Sequence, residues 1–309
     1  MITMRQHAIS LIAVFLALAL GLFLGSGFIG DRVNALTGTD RDKIGNLEDE
    51  RDSLAAQVNS NDSFTAAIAE RITADLLKDQ SVLVVTTPDS SEADVDALKT
   101  MINDADGTFA GQIGLTPALL GDQSASKLRT VIDQSIPAGA QLRIEYTDSG
   151  SRLGDLLGVT LLNRQGQKPA SSSDRDTALQ ALRGGEFIDY PDGTIKPADL
   201  VLVVTGGEMS NDSGAQGQLV ARLAATMAMR AQGGALVGRT GSAEGGSPIG
   251  VIRSDPALGN AVTTVDDVDL ETGRLTTLMG LDEELHGRSG AYGSGPGATA
   301  ITVGAEPGE

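Results

Sequence analysis

The chain has 309 residues, a formal net charge of −18 and no cysteine. The charge excludes a phosphate-backbone partner, which wants a basic patch, and the missing cysteines exclude disulfides, thiolate metal sites and a cysteine nucleophile. Aromatic residues make up 3% and tryptophan is absent, so any core must be built from Val, Leu, Ile and Ala.

The first element is Ala8 to Gly30, about 23 residues without a charge. As a helix it would be about 34 Å long, enough to cross a hydrocarbon layer of about 30 Å. Arg5 precedes it and acidic chain follows. The positive-inside rule then predicts a cytoplasmic N-terminus and an extracytoplasmic remainder in a single-pass cell-membrane protein. The run exceeds a usual signal h-region, and Gly25-Ser26-Gly27 is a poor small-x-small cleavage site, so residues 1–30 are expected to stay as an anchor. The alternative is cleavage and release to the outer envelope. Ala13, Ala17, Gly21 and Gly25 recur every fourth position, a spacing that lets two membrane helices approach closely, although small residues are also common in such helices.

Residues 31–79 read as a stalk and helix. Ile44, Leu47, Leu54 and Val58 occupy a and d positions of a heptad pattern, with polar Arg51, Asn61 and Thr65 in intervening slots. The pattern predicts a coiled coil that joins a second copy or another protein; folding back onto its own domain is the alternative. Asn61-Asp62-Ser63 offers cap residues for a separate helix, in which Phe64, Ala67, Ile68, Ile72 and Leu76 share one face.

Residues 80–285 carry an α/β signal. Val82 to Thr87, ended by Pro88, reads as a buried strand, and a helix through Val95, Leu98, Met101 and Ile102 follows. Phe109–Leu115 is a weaker strand, Asp122–Ile136 a helix, Leu142–Tyr146 an exposed strand and Leu153–Leu162 a helix. Arg175–Arg183 and Phe187–Tyr190 are a short helix and a short strand. Ala198 to Gly207 is a continuous apolar strand running into a glycine pair. A helix over Gln216–Ala231 and a strand at Ala235–Gly238 complete a β-loop-α-β unit. Ile249–Ile252 and Val262–Val265 are short strands, and Leu275–Leu285 is the last helix. The expected architecture is one doubly wound, Rossmann-like domain. Residues 286–309, rich in Gly, Ser, Ala and Pro, are expected as a poorly ordered tail, apart from a strand at Ala300–Val303.

Chemistry-bearing residues are few. Thr205, Gly206 and Gly207 sit where nucleotide-binding proteins place phosphates, and Gly238 to Ser242 is a second glycine loop that supplies Arg239. Together they could hold a small anion, or the glycines could serve turns that need positive φ. Asp266, Asp267, Asp269 and Glu271 could hold a hard cation or form a solvated turn. Met227 and Met229 are two apart on a helix and do not converge, so Met227 belongs to the core. His7 and His286 build no metal constellation. No catalytic motif is present, which predicts a non-enzymatic protein with no cofactor.

Six segments carry a resemblance: RQHAISLIAVFLALALGLFLGSG at 5–27, GDLLG at 154–158, VVTGG at 203–207, GRTGSA at 238–243, TVDD at 264–267 and YGSGPGA at 292–298. Through these the chain resembles the copper transporter MctB/SteB envelope protein family of mycolic-acid-bearing bacteria. The resemblance implies an envelope protein with an N-terminal membrane segment. It also implies two roles: copper efflux or homeostasis, sometimes framed as a channel, and cell separation with a SteA-like membrane partner and control of a peptidoglycan hydrolase. Copper enters only through this resemblance, and no ligand residue carries over with it. A membrane barrel would need repeated alternating strands and aromatic girdles, which the sequence lacks.

Overall fold

A computed structural model describes residues 14, 15, 17, 18, 28–121, 124–164, 170–210 and 213–305. By compactness the chain divides into residues 1–61 and 62–309.

In the first unit, the anchor positions Ala13, Gly21 and Gly25 lie outside the described residues, while Ala17 lies in a short helical piece. Among the described residues no helix is long and apolar enough to cross a membrane. Helix α1 begins at Phe28 and runs to Thr73. Ile44, Leu47, Leu54 and Val58 are all exposed on it, at 56, 64, 54 and 43%.

The helix passes through Asn61-Asp62-Ser63 without the expected break. Asp62 caps a different helix instead, accepting a hydrogen bond from the Glu271 N–H at 3.2 Å. In the second unit the residues of α1 that become buried are Thr65, Ala69 and Thr73, with Leu77 just beyond, whereas Phe64 and Ile72 stay exposed. The expected face is therefore off by one residue: Ala69 and Leu77, not Phe64 and Ile72, join the core.

The remaining elements are β1 (Ser81–Thr86), α2 (Glu92–Asp104), β2 (Thr108–Leu115), α3 (Pro117–Leu120), α4 (Ala125–Gln134), α5 (Ser149–Leu161), α6 (Ser172–Gly184), β3 (Ile188–Asp189), β4 (Leu200–Val204), α7 (Gln216–Ala228), β5 (Gly233–Val237), α8 (Pro248–Ser254), α9 (Pro256–Gly259), β6 (Thr263–Val265), α10 (Glu271–Leu285) and β7 (Ala291–Tyr292). Among the described residues they form one mixed α/β arrangement around a seven-stranded sheet of order β3-β2-β1-β4-β5-β6-β7. Neighbours are parallel except the short edge strand β3, which runs antiparallel to β2.

Strand residues alternate between the faces, as a two-residue period requires. Leu83, Val85, Val201 and Val203 meet helices α3 to α8 on one side. Val82, Val84, Leu200 and Leu202 meet α2 and α10 on the other. Burial on both faces explains why β1 and β4 read as unbroken apolar runs. Side chains mark several helix starts: Asp148 accepts from the Ser151 N–H at 2.8 Å and Ser171 from the Asp174 N–H at 3.1 Å.

Three segments differ from their sequence reading. Ile249–Ile252 is helical, because Pro248 opens α8 at its first turn and Ile249 and Ile252, three apart, share its buried face. Leu142–Tyr146 forms no ladder; the Arg143 N–H donates to the Asp155 carboxylate at 2.7 Å, and Ile144 is 94% exposed. The glycine-rich end is tied into the domain, since β7 extends the sheet beside β6 and Tyr292 bridges to Ala300. Residues 301–304 beyond that bridge form bends and turns, not a strand.

Candidate functional site at the carboxyl edge of the sheet

The strand order reverses between β1 and β4, and in open α/β sheets ligands bind at the carboxyl ends of strands flanking such a point. Here the loop after β1 meets the loops after β4 and β5. Thr205 continues the ladder, its N–H donating to Val237 O at 2.8 Å, and the Arg239 N–H donates to Gly206 O at 3.0 Å. A Cβ on Gly206 would stand 2.5 Å from Asp89 Oδ2, so the Asp89 carboxylate covers that glycine and only glycine fits. Thr87 Oγ1 donates to Asp89 Oδ1 and holds the carboxylate there. A Cβ on Gly207 would stand 3.1 Å from Thr240 O, another point where the loops close on each other. Sequence reading thus placed Thr205, Gly206, Gly207 and Arg239 at one end of the sheet, and the structure brings them together.

Arg239 is exposed, with Nε 3.6 Å from Asp94 Oδ2, while Arg274 approaches the other oxygen of Asp94 at 3.8 Å. Asp94 is buried and its Oδ2 makes no hydrogen bond; the same holds for the buried hydroxyls of Thr205 and Ser242. Both hydroxyl residues crowd Gly238, where a Cβ would lie 2.5 Å from Ser242 Cβ. Outside these loops a cleft of about 290 Å³ is lined by Pro88, Asp89, Pro117, Glu208 and Met209, among others. Its two carboxylates make it acidic.

The carboxylates after β6 take separate partners. Asp266 accepts from the Ser294 and Gly295 N–H groups at 3.0 and 3.1 Å and pairs with Arg253. Asp269 accepts from the Thr240 N–H at 2.9 Å, and Glu271 pairs with Arg274 at 2.8 Å. Asp267 keeps one buried oxygen without a hydrogen bond. Burial first, then the nearby charges of Asp266 and Asp269, push its carboxyl up to about 6. Among the described residues no group of three or more His, Cys, Asp or Glu side chains could hold a metal ion.

Sequence reasoning missed Arg253. Its guanidinium also donates to Tyr292 O at 2.6 Å, Pro296 O at 3.1 Å and Thr264 Oγ1 at 3.1 Å. It thereby straps the glycine-rich end onto the sheet. The only signal was an arginine near a run of buried isoleucines. The segments VVTGG, GRTGSA, TVDD and YGSGPGA, far apart in sequence, all meet at this edge through these bonds. GDLLG lies elsewhere, on α5 against α7. Met227 is fully buried, as expected, while Met229 has its sulfur 3.9 Å from Tyr146 Oη.

A mostly parallel sheet sandwiched by helices, with its loops gathered at a strand-order reversal and a long helix ahead of it, defines the class: a mixed α/β protein with an N-terminal helical extension. The chain belongs to the family described as copper transport outer membrane protein, MctB, whose family model matches residues 1–303. It is 42% identical to the copper transporter MctB of Mycobacterium tuberculosis strain H37Rv, over 98% of this chain and 99% of that protein. The copper transporter MctB of Mycobacterium leprae strain TN is also 42% identical, with the same coverage of both chains.

Proposed function

We propose that this chain is a non-enzymatic, membrane-anchored envelope protein whose Rossmann-like extracytoplasmic domain and coiled-coil stalk act as a scaffold for partner proteins. The observation that carries the reading is the state of the carboxyl edge. Where such a domain would take an anionic ligand, Asp89 covers Gly206 and Asp94 engages Arg239. A like charge already stands where the ligand's charge would go, and the nearest cation has a buried carboxylate 3.6 Å away. Ile44, Leu47, Leu54 and Val58 meanwhile offer an apolar stripe. In this reading the partners include a SteA-like membrane protein, and the output is cell separation through control of a peptidoglycan hydrolase.

The second reading is copper homeostasis, with copper as cargo, and the family's description and the names of the relatives favour it. In that reading the copper ligands come from a partner or from residues outside those described. Deleting the gene and titrating Cu(I) into the full chain in detergent separates the two. The scaffold reading expects cells that fail to separate, unchanged copper tolerance and no saturable Cu(I) binding. Copper hypersensitivity together with saturable binding overturns it.

A further inference from the structure

We infer that residues 43–58 of α1 pair with the same residues of a second copy of this chain, as a parallel, in-register, two-stranded coiled coil. This rests on the stalk proposed above and adds its occupant and direction.

Ile44, Leu47, Leu54 and Val58 are exposed large apolar residues on one helix. With Ile44, Arg51 and Val58 at a positions and Leu47 and Leu54 at d, Lys43 and Glu50 fall at g and Glu48 at e. In a parallel pair, each g residue faces the e residue five further along the other helix, and each a residue borders the preceding g. Lys43 then meets Glu48 of the second copy. Arg51 faces Arg51 of the second copy across the a layer, a like-charge cost that the flanking Glu50 of the second copy offsets, and two-fold symmetry makes each contact twice. Among the described residues Arg51 pairs with its sequence neighbour Asp52, with both side chains about 70% exposed, a pairing that solvent makes nearly worthless. Arg51 is therefore available to the neighbouring helix.

Antiparallel pairing depends on the register: the one that sets Ile44 against Leu47 also brings Lys43 to Glu50 of the second copy. The register that sets Arg51 against Leu54 brings Glu50 to Gln57 and Glu48 to Ala55. The register that sets Arg51 against Leu47 brings Glu50 and Glu48 each to its own copy, a repulsion. The apolar stripe and the charges would each accept either direction; the parallel one follows from the anchor reading above, because two helices that leave the same membrane after residue 30 run side by side in the same direction.

The absence of native cysteine makes the test clean. Full-length chain in detergent is weighed by light scattering, then single-cysteine variants are oxidised with diamide. Leu54→Cys alone is expected to cross-link as a dimer, while a mixture of Leu47→Cys and Val58→Cys chains gives no mixed product. A mixed 47–58 product, or a dimer in which Leu54→Cys fails to link, overturns the parallel register and leaves the stalk standing. A monomeric wild-type mass at every concentration overturns the stalk reading itself, and this inference with it. Glu48→Lys should weaken the dimer about 2- to 10-fold, and adding Lys43→Glu should restore it. An unchanged affinity in Glu48→Lys overturns the charge pairing.

Discussion

Asp155 and Arg230 meet as a buried two-point ion pair beside the contact of α5 and α7, with Arg230 Nε 2.6 Å from Oδ1 and Nη2 3.0 Å from Oδ2. Asp155 is fully buried, and its Oδ2 also accepts the Arg143 N–H at 2.7 Å. Arg230 reaches on to Gln141 O at 3.2 Å. The pair thus pins the irregular segment 141–146 to the helices. Its arginine stem lies over Gly158, where a Cβ would come within 2.5 Å of Arg230 Cβ.

Removing one partner strands a charge in a dry site. Arg230→Ala should therefore destabilise the domain by about 3–5 kcal/mol. Replacing both residues, Asp155→Leu with Arg230→Met, should recover part of that loss, because no charge then stays buried although the Arg143 N–H loses its acceptor. Denaturant unfolding of the single and double variants reads the difference.

Gly150, Gly154 and Gly158 set how closely α5 lies on α7. A Cβ at Gly154 would stand 2.6 Å from Leu223 O, a backbone atom that cannot step aside. Gly154→Ala should cost about 1–3 kcal/mol through overpacking. Gly184, at the end of α6, has nothing within 4 Å of its β-position. Gly184→Ala should be neutral or stabilise by up to about 0.5 kcal/mol, chiefly by restricting the unfolded chain. Thermal unfolding of the two variants side by side tests the contrast.

Asp267 carries a pH dependence. Its carboxyl rises from 3.8 to about 6 in the folded chain, so the folded state binds the proton more tightly than the unfolded one. Stability from this group is fully present below pH 3.8 and is lost as pH rises through about 6. Asp267→Asn, which cannot ionise, should therefore stabilise the protein at pH 7.5 by on the order of 1 kcal/mol, discounted for partial exposure. The gain should vanish near pH 4. Melting temperatures of wild type and variant across that range read the sign directly.

Arg253 and Asp266 hold the glycine-rich end in place. Arg253→Met removes the donors to Tyr292 O, Pro296 O and Thr264 Oγ1 and leaves the Asp266 carboxylate with backbone N–H partners only. Amide exchange should accelerate at least 10-fold more across residues 291–300 than in β1 and β4, whose protection falls only with the global stability. A uniform loss across the sheet would mean that Arg253 supports the whole core and not the strap.

Much of the core was legible because it follows from local period. Val82–Val85 and Leu200–Val204 are buried on both faces and read as continuous apolar runs. Thr205, Gly206, Gly207 and Arg239 were legible as loops at strand ends, because glycine after an apolar strand announces a tight passage. The misreadings came where long-range partners override local pattern. Asp62 looked like a helix cap until Glu271 claimed it. Leu142–Tyr146 alternates like a strand, yet Asp155 takes its Arg143 N–H and, among the described residues, no strand pairs with it.

The sequence by itself determined the class, the apolar N-terminal run, the heptad stripe of Ile44, Leu47, Leu54 and Val58, and the membership implied by the six segments. Each is a short-range pattern that survives without coordinates. Only the tertiary structure decided that four of those segments meet at one edge, that Asp89 covers Gly206 and that Arg253 straps down residues 291–300. These depend on groups far apart in the chain. Burying a charge or an open N–H is too costly unless a partner of the right shape arrives, and no local window reveals which distant residue that partner is.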